Sequence, residues 1–318
     1  MRSRAAAFVL IALGVALIGA GVWYGALLAR SSRASAPQSP RSVGPGARAE
    51  ADAALPAPGF VLSEAHGDVQ VATGADFAAA APGDGGLALG GGTRIRTGRG
   101  SSAVLRAPDG SEVALADGVE ISIAELSAQV ARFALERGKV RAASPEGGRA
   151  VTVDSSGARA EAQGARFVIY TSPRGLVAVA SESGRVKLRA QGREVEVPAG
   201  QQSIVPPQGM PTDPVAVPDA VFLQVAWPGE TLQREPETLV RGRARPGERV
   251  YVNGAETEVA MDGTFMARVH LREGKNPPLR VEAEALTGRR RILRGPAVEV
   301  KSDLDLQVRP VDWGARKQ

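Results

Sequence analysis

From Gly92 to Leu115 the chain reads Gly-Thr-Arg-Ile-Arg-Thr-Gly-Arg-Gly-Ser-Ser-Ala-Val-Leu-Arg-Ala-Pro-Asp-Gly-Ser-Glu-Val-Ala-Leu, and this stretch limits what the chain can fold into. Thr93, Ile95 and Thr97 alternate with Arg94 and Arg96, the period-2 pattern of a strand with one buried and one wet face. Gly92 and Gly98 bound that strand as turn residues. Ala103 and Leu105 then share a face, Pro108-Asp109-Gly110 supplies turn chemistry, and Val113 and Leu115 bring a second strand back. The result is a hairpin region with no catalytic side chain.

Similar short apolar pairs lie on both sides of it. Val69 and Val71, Val119, Ile121 and Ile123, Val151 and Val153, Val177 and Val179, Val186 and Leu188, and Val195 and Val197 are separated by turn residues. A helical turn competes with strand only over Leu126–Leu135. Residues 59–205 are therefore expected to form one all-β domain, either a β-sandwich or a short β-solenoid. Residues 206–219 are proline-dense and aperiodic, which predicts a stiff linker. Within 220–302, Val250-Tyr251-Val252-Asn253-Gly254 is a hairpin signal centred on Asn253 and Gly254. Asp262-Gly263-Thr264-Phe265, Val269, Leu271, Gly274-Lys275-Asn276, Leu279, Val281 and Ala283 follow it. Residues 303–318 read as a frayed tail.

The first of these regions resembles the FecR domain of bacterial envelope proteins. The resemblance rests on Gly92-Thr93-Arg94-Ile95-Arg96-Thr97-Gly98 with the Asp109-Gly110-Ser111 turn, then Gly138-Lys139-Val140, Gly164-Ala165-Arg166-Phe167, Ser183-Gly184-Arg185-Val186 and Pro198-Ala199-Gly200-Gln201, in that order. Ala165 stands where the family usually has Thr. The 220–302 region resembles a bacterial immunoglobulin-like β-sandwich, with Pro277 and Pro278 delaying its last strand. FecR-type proteins take a signal in the periplasm and pass it through one membrane helix to a segment that controls a sigma factor. The resemblance covers only the exported domain, and Met1–Arg4 is expected to be too short for that cytoplasmic segment.

Ahead of the β-regions, residues 5–29 form an uncharged apolar run, against the ~20 residues a bilayer-spanning helix needs. Signal-peptide cores are shorter, about 7–15 residues. Ala34-Ser35-Ala36 resembles a cleavage site, but Pro37 would then open the mature chain, so a retained anchor is expected. With residues 1–4 kept inside, the chain reads as a single-pass protein of a bacterial inner membrane with its bulk in the periplasm. Residues 30–58 are mostly Ala, Pro, Ser, Gly and Arg with hardly a large apolar residue, too little to order themselves, and are expected to form a tether reaching on the order of 90 Å when extended.

The 318 residues contain no cysteine and two histidines, His66 and His270, which are far apart. Thiolate nucleophiles, disulfides and Cys-based metal sites are excluded, and no cofactor is expected. Asp109, Glu112, Asp117 and Glu120 cluster in sequence but fall in turns or on outward positions, so an enzyme is not expected. Against a net charge of +5, the Arg289-Arg290-Arg291 run has no aromatic platform beside it, which argues against nucleic acid and for a solvated hairpin tip. A binding role remains: a membrane-anchored periplasmic adaptor, with Arg94, Arg96 and Arg106 or an open strand edge receiving an envelope protein. The alternative is a wall anchor that binds peptidoglycan or polysaccharide.

Overall fold

The computed structural model describes residues 59–81, 85–229, 231–233 and 235–301. The expected cytoplasmic tail, membrane span, tether and C-terminal tail lie outside the described residues. Among these residues there is no helix, and the fold is all-β.

Residues 60–216 supply β1 (Phe60–His66), β2 (Val69–Ala72), β3 (Ala78–Ala79), β4 (Leu87–Leu89), β5 (Arg94–Thr97), β6 (Ser102–Arg106), β7 (Glu112–Leu115), β8 (Glu120–Leu126) and β9 (Val130–Ser144). They continue with β10 (Ala150–Ser155), β11 (Ala158–Ala162), β12 (Ala165–Thr171), β13 (Val177–Ser183), β14 (Arg185–Ala190), β15 (Arg193–Pro198), β16 (Gln201–Val205) and β17 (Val215–Ala216). The strands form two stacked sheets. The first runs β4-β1-β6-β7-β9-β12-β13-β16-β17. The second runs β3-β2-β5-β8-β9-β10-β11-β14-β15. β9 is common to both: its first half pairs with β8 and β10, and its second half, from Gly138, pairs with β7 and β12.

Period-2 patterning explains the stack. Ile95, Leu105, Ile121, Phe133, Ile169 and Leu188 are fully buried between the sheets while their chain neighbours face outward. Phe60 and Phe133 meet edge to face with ring centroids 5.3 Å apart. The Leu126–Leu135 stretch is the end of β8, a turn at 127–129 and the start of β9, where Ala131, Phe133 and Leu135 point into this core at every second residue. The Thr93–Thr97 strand and the hairpin after it part company: β5 lies in the second sheet, and the β6–β7 hairpin lies in the first.

Residues 223–300 form a second unit from β18 (Leu223–Ala226), β19 (Leu232–Gln233), β20 (Glu237–Ala244), β21 (Arg249–Val252), β22 (Ala255–Thr257), β23 (Thr264–His270), β24 (Gly274–Lys275), β25 (Arg280–Glu284), β26 (Arg290–Arg294) and β27 (Glu299–Val300). Sheets β18-β20-β23 and β22-β21-β25-β26 close over a core that includes Leu223, Val240, Val250, Phe265, Leu279 and Val281. A small β19-β27-β24 sheet completes it. The proline-dense segment between the units is not a free spacer: β17 adds to β16, Ser203 Oγ donates to the Thr212 carbonyl at 2.7 Å, and Arg193 pairs with Asp213.

The second unit sits on the outer face of the first sheet. Val168, Tyr170, Leu176, Ala178 and Ala180 make that face apolar, and Leu286, from the β25–β26 turn, is buried against it. Burying Leu286 alone contributes about 2 kcal/mol.

Candidate functional site

The Gly-Thr-x-Ile-x-Thr-Gly segment does structural work at each position. Gly92 opens the turn at φ +82° and donates to the Ile123 carbonyl. Thr93 is buried, Ile95 enters the core, and Thr97 Oγ1 donates to the Ala116 carbonyl at 2.6 Å while accepting from the Val119 amide at 2.9 Å. Gly98 donates to the Asp68 carbonyl at 2.7 Å. In the next hairpin Gly110 has φ +84°, and Asp109 does more than cap the turn. Its carboxylate accepts from the Ser111 amide at 3.0 Å and from Arg149 Nε at 2.7 Å. Burial pushes the Asp109 carboxyl up, and the hydrogen bonds from Arg149 and Ser111 outweigh this and hold it below its usual range. Asn253 (φ +47°) and Gly254 (φ +78°) are consecutive left-handed residues, the type I′ turn their sequence predicts.

The three arginines expected to form one face do not meet. Arg94 and Arg96 project from the outer face of the second sheet, where their guanidinium carbons lie 4.8 Å and 4.0 Å from the centroid of the Phe77 ring. Arg94 donates to the Gly74 and Ala75 carbonyls, and Arg96 pairs with Glu120 at 2.6 Å. Arg106 lies on the outer face of the first sheet, paired with Glu64 at 2.9 Å and Glu112 at 3.2 Å. The reason for the split is topological: the chain crosses between layers after β5, so equal outward patterning on β5 and β6 points in opposite directions.

A different cluster, at the seam between the units, is the most concentrated buried polar group. Arg249 on β21 has a side chain only 1% exposed. Val250 and Val252 take the inward positions of β21, so Arg249 and Tyr251 face the first unit. Arg249 Nη1 donates to Asp117 Oδ1 and Nη2 to the Asp117 carbonyl, both at 3.2 Å. It also pairs with Glu256 at 3.2 Å, whose carboxylate accepts from Tyr170 Oη at 2.9 Å. Beside it, Lys139 pairs with Glu284, and Glu284 also pairs with Arg290 at 3.2 Å. Arg174 closes the far end on Glu258 at 3.2 Å.

Burial, helped by the nearby cations Arg249, Arg290 and Arg141, pulls the Lys139 ammonium down to about 8. Burial pushes the Tyr170 and Tyr251 hydroxyls up, with Glu256 adding to both. Tyr251 Oη is buried and makes no hydrogen bond among the described residues. It borders a seam cleft of about 820 Å³ lined in part by Arg99, Asp117, Arg280, Glu282 and Glu284. A separate hollow of about 740 Å³ lies at the β10–β11 and β14–β15 turns, where Asp154 pairs with Arg159 and Arg189 with Glu194.

All four acidic residues that cluster in sequence are neutralised by arginine: Asp109 by Arg149, Glu112 by Arg106, Asp117 by Arg249 and Glu120 by Arg96. His66 ends β1 exposed, and His270 pairs with Glu237 at 3.1 Å with its side chain 80% exposed. Among the described residues no group of His, Cys, Asp or Glu is arranged to hold a metal ion. The Arg289–Arg291 run is exposed at the β25–β26 hairpin, and two of its members are also engaged: Arg289 donates to the Asp219 carbonyl, and Arg290 reaches Glu282 and Glu284. Lys139 was visible in sequence as part of Gly138-Lys139-Val140, but Arg249, Tyr170, Glu256 and Glu284 carried no local signal of the seam, because their partners in the other unit lie 86 to 145 positions away.

No curated protein matches the chain. Two crystal structures of a "putative anti-sigma factor" from Parabacteroides distasonis ATCC 8503 are similar to it at 20% identity and a TM-score of 0.35, over 39% of this chain and 59% of that one. The chain thus spans about three fifths of that protein's length. Residues 93–187 match the family described as FecR protein. They run from the buried Thr93 through the β9 crossover to Lys187 on β14. The protein therefore contains a FecR domain, set within its larger β-stack.

Proposed function

We propose that the protein is a regulatory adaptor of the bacterial envelope, anchored in the inner membrane by residues 5–29, with its FecR domain in the periplasm as the recognition module. The observation that carries this reading is the FecR match over residues 93–187, a family that is regulatory rather than enzymatic. The second unit, which we read as immunoglobulin-like, acts as a fixed second body rather than a loose spacer, since its Leu286 and Arg249 are buried against the first. That docking covers much of the outer face of the first sheet. It leaves open the outer face of the second sheet and its edge strand β15, which among the described residues pairs only with β14. The partner surface is Arg94 and Arg96 around Phe77, and Arg106 on the opposite layer is not part of it.

The test uses the detergent-solubilised full chain as bait against an envelope extract and, in parallel, against washed sacculi. One membrane or periplasmic protein is expected to co-enrich. The Arg94→Glu/Arg96→Glu variant should lose on the order of 30-fold in capture, as for central arginine contacts, and Arg106→Glu should leave it unchanged. Capture that survives the double variant with its circular dichroism intact would show that another face is used. Salt-sensitive sedimentation on sacculi without a protein partner would turn the reading into that of a wall anchor.

A further inference from the structure

The outer face of the β18-β20-β23 sheet carries three arginines, Arg241, Arg243 and Arg268, that form no ion pair among the described residues. On the stack, outward arginines such as Arg96, Arg106, Arg132, Arg141, Arg159 and Arg189 each pair with an acid. On β20 and β23 the pattern changes. Val240, Phe265 and Val269 point into the second core, so Arg241, Arg243, Met266 and Arg268 point out. Register places Arg241 opposite Met266 and Arg243 opposite Thr264, with Arg268 two residues along β23 and therefore diagonal to Arg241. On the other side of β20, Arg241 faces Ala226 and Arg243 faces Gln224, so no acid enters from β18. Arg241, Arg243 and Arg268 form no ion pair among the described residues, and Asp262, beside Arg243, is turned to its own Thr264 amide at 2.9 Å and hydroxyl at 2.7 Å. Met266, in the middle of the three cations, is 62% exposed.

We infer that this face docks on an anionic lipid bilayer surface, with Arg241, Arg243 and Arg268 among the headgroups and Met266 at the acyl boundary. The cations alone would fit any polyanion. An exposed, flexible apolar side chain enclosed by them fits the headgroup–acyl boundary, where apolar burial and attraction to acidic lipids act together. The outward positions of its strands carry no aromatic side chain to stack on a base or a sugar ring; Gln224, Ala226, Leu239 and Thr264 are uncharged, and Glu237, at the start of β20, is paired with His270. The sequence also places a bilayer within reach, because the apolar run 5–29 is joined to β1 by a tether of at most about 90 Å. This inference shares only that anchor with the adaptor reading.

The chain has no cysteine, so Met266→Cys gives a unique labelling site on the full-length protein. With an environment-sensitive fluorophore there, the chain is placed in nanodiscs of phosphatidylcholine alone or with phosphatidylglycerol. A blue shift is expected only with phosphatidylglycerol, and it should vanish in 0.5 M salt. Each cation near an acidic surface gives roughly five-fold in partitioning, so Arg241→Glu/Arg243→Glu/Arg268→Glu should lose at least on the order of 100-fold. The same label at Met210→Cys, 57% exposed and off this face, should not shift. Equal emission in the two lipids, or an equal shift at position 210, would overturn the inference. A shift with soluble dextran sulfate in place of acidic lipid would overturn it in favour of a soluble polyanion. Failure of the chain to enter phosphatidylcholine discs would count against the anchor and the adaptor reading. The face is then tested independently by adding phosphatidylglycerol vesicles to the unanchored chain, where absence of a shift overturns the docking inference.

Discussion

Arg249 couples the two units through one guanidinium. Taking a charge out of water costs several kcal/mol, an amount offset only while its partners hold their geometry. Asp117 and Glu256 provide those partners from opposite units, with side chains 23% and 25% exposed. Arg249→Met is expected to destabilise the protein by roughly 3 kcal/mol, because two part-buried carboxylates lose their cation together. Combined with Asp117→Ala, urea unfolding should give a coupling energy of about 1–3 kcal/mol. Zero coupling would mean that Glu256 alone holds Arg249 and that the seam does not depend on Asp117. Asp117 itself looks in sequence like one more member of an acidic cluster, since the arginine that gives it a role is 132 positions away.

β9 is the element on which the stack turns. Its period-2 core positions, Ala131, Phe133 and Leu135 and then Val140 and Ala142, change layers at Gly138, whose φ is +96°. A Cβ added there would lie 2.8 Å from Val119 Cα and 3.0 Å from the Gly118 carbonyl oxygen, so strained backbone and a main-chain clash coincide. Gly138→Ala is expected to cost roughly 2–4 kcal/mol. Gly192, at φ +78° with open space around it, is the control, and Gly192→Ala should cost only about 1 kcal/mol. Equal midpoint losses in urea would show that the crossing does not depend on the bend at Gly138. A glycine inside a strand pattern signals a bulge or a close approach. The Gly138-Lys139-Val140 signature was therefore legible, but which four strands β9 would join was not.

At the scale of the whole molecule, the seam makes stability depend on alkaline pH in two opposed ways. With its ammonium held at about 8 rather than the ordinary 10.5, folded Lys139 has released a proton that the unfolded chain still binds between those values. Stability therefore rises with pH across that window. Tyr170 and Tyr251 keep their protons beyond the ordinary 10, so above about pH 10 the unfolded chain releases protons that the folded one retains, and stability falls. The unfolding midpoint should climb from pH 8, peak near pH 10 and then drop. In Lys139→Met the climb should be gone and the drop should remain. A flat wild-type profile between pH 8 and 10 would mean that Lys139 stays hydrated and that the seam opens readily.

Local chemistry in the sequence determined the strands, most turns and the FecR signature. Alternation at Thr93, Ile95 and Thr97, the Asp109-Gly110 and Asn253-Gly254 turns, and the apolar pairs from Val151 to Val197 each depend on neighbours a few residues away. Only the tertiary structure decided that β5 and β6 enter opposite layers, which separates Arg106 from Arg94 and Arg96. The tertiary structure also laid the proline-dense segment along β16 and turned Arg249, Lys139, Tyr170 and Glu284 into one buried seam. The physical reason is that period-2 patterning states which face of a strand is wet or dry. It does not state which distant face will supply the dry surface or the opposite charge.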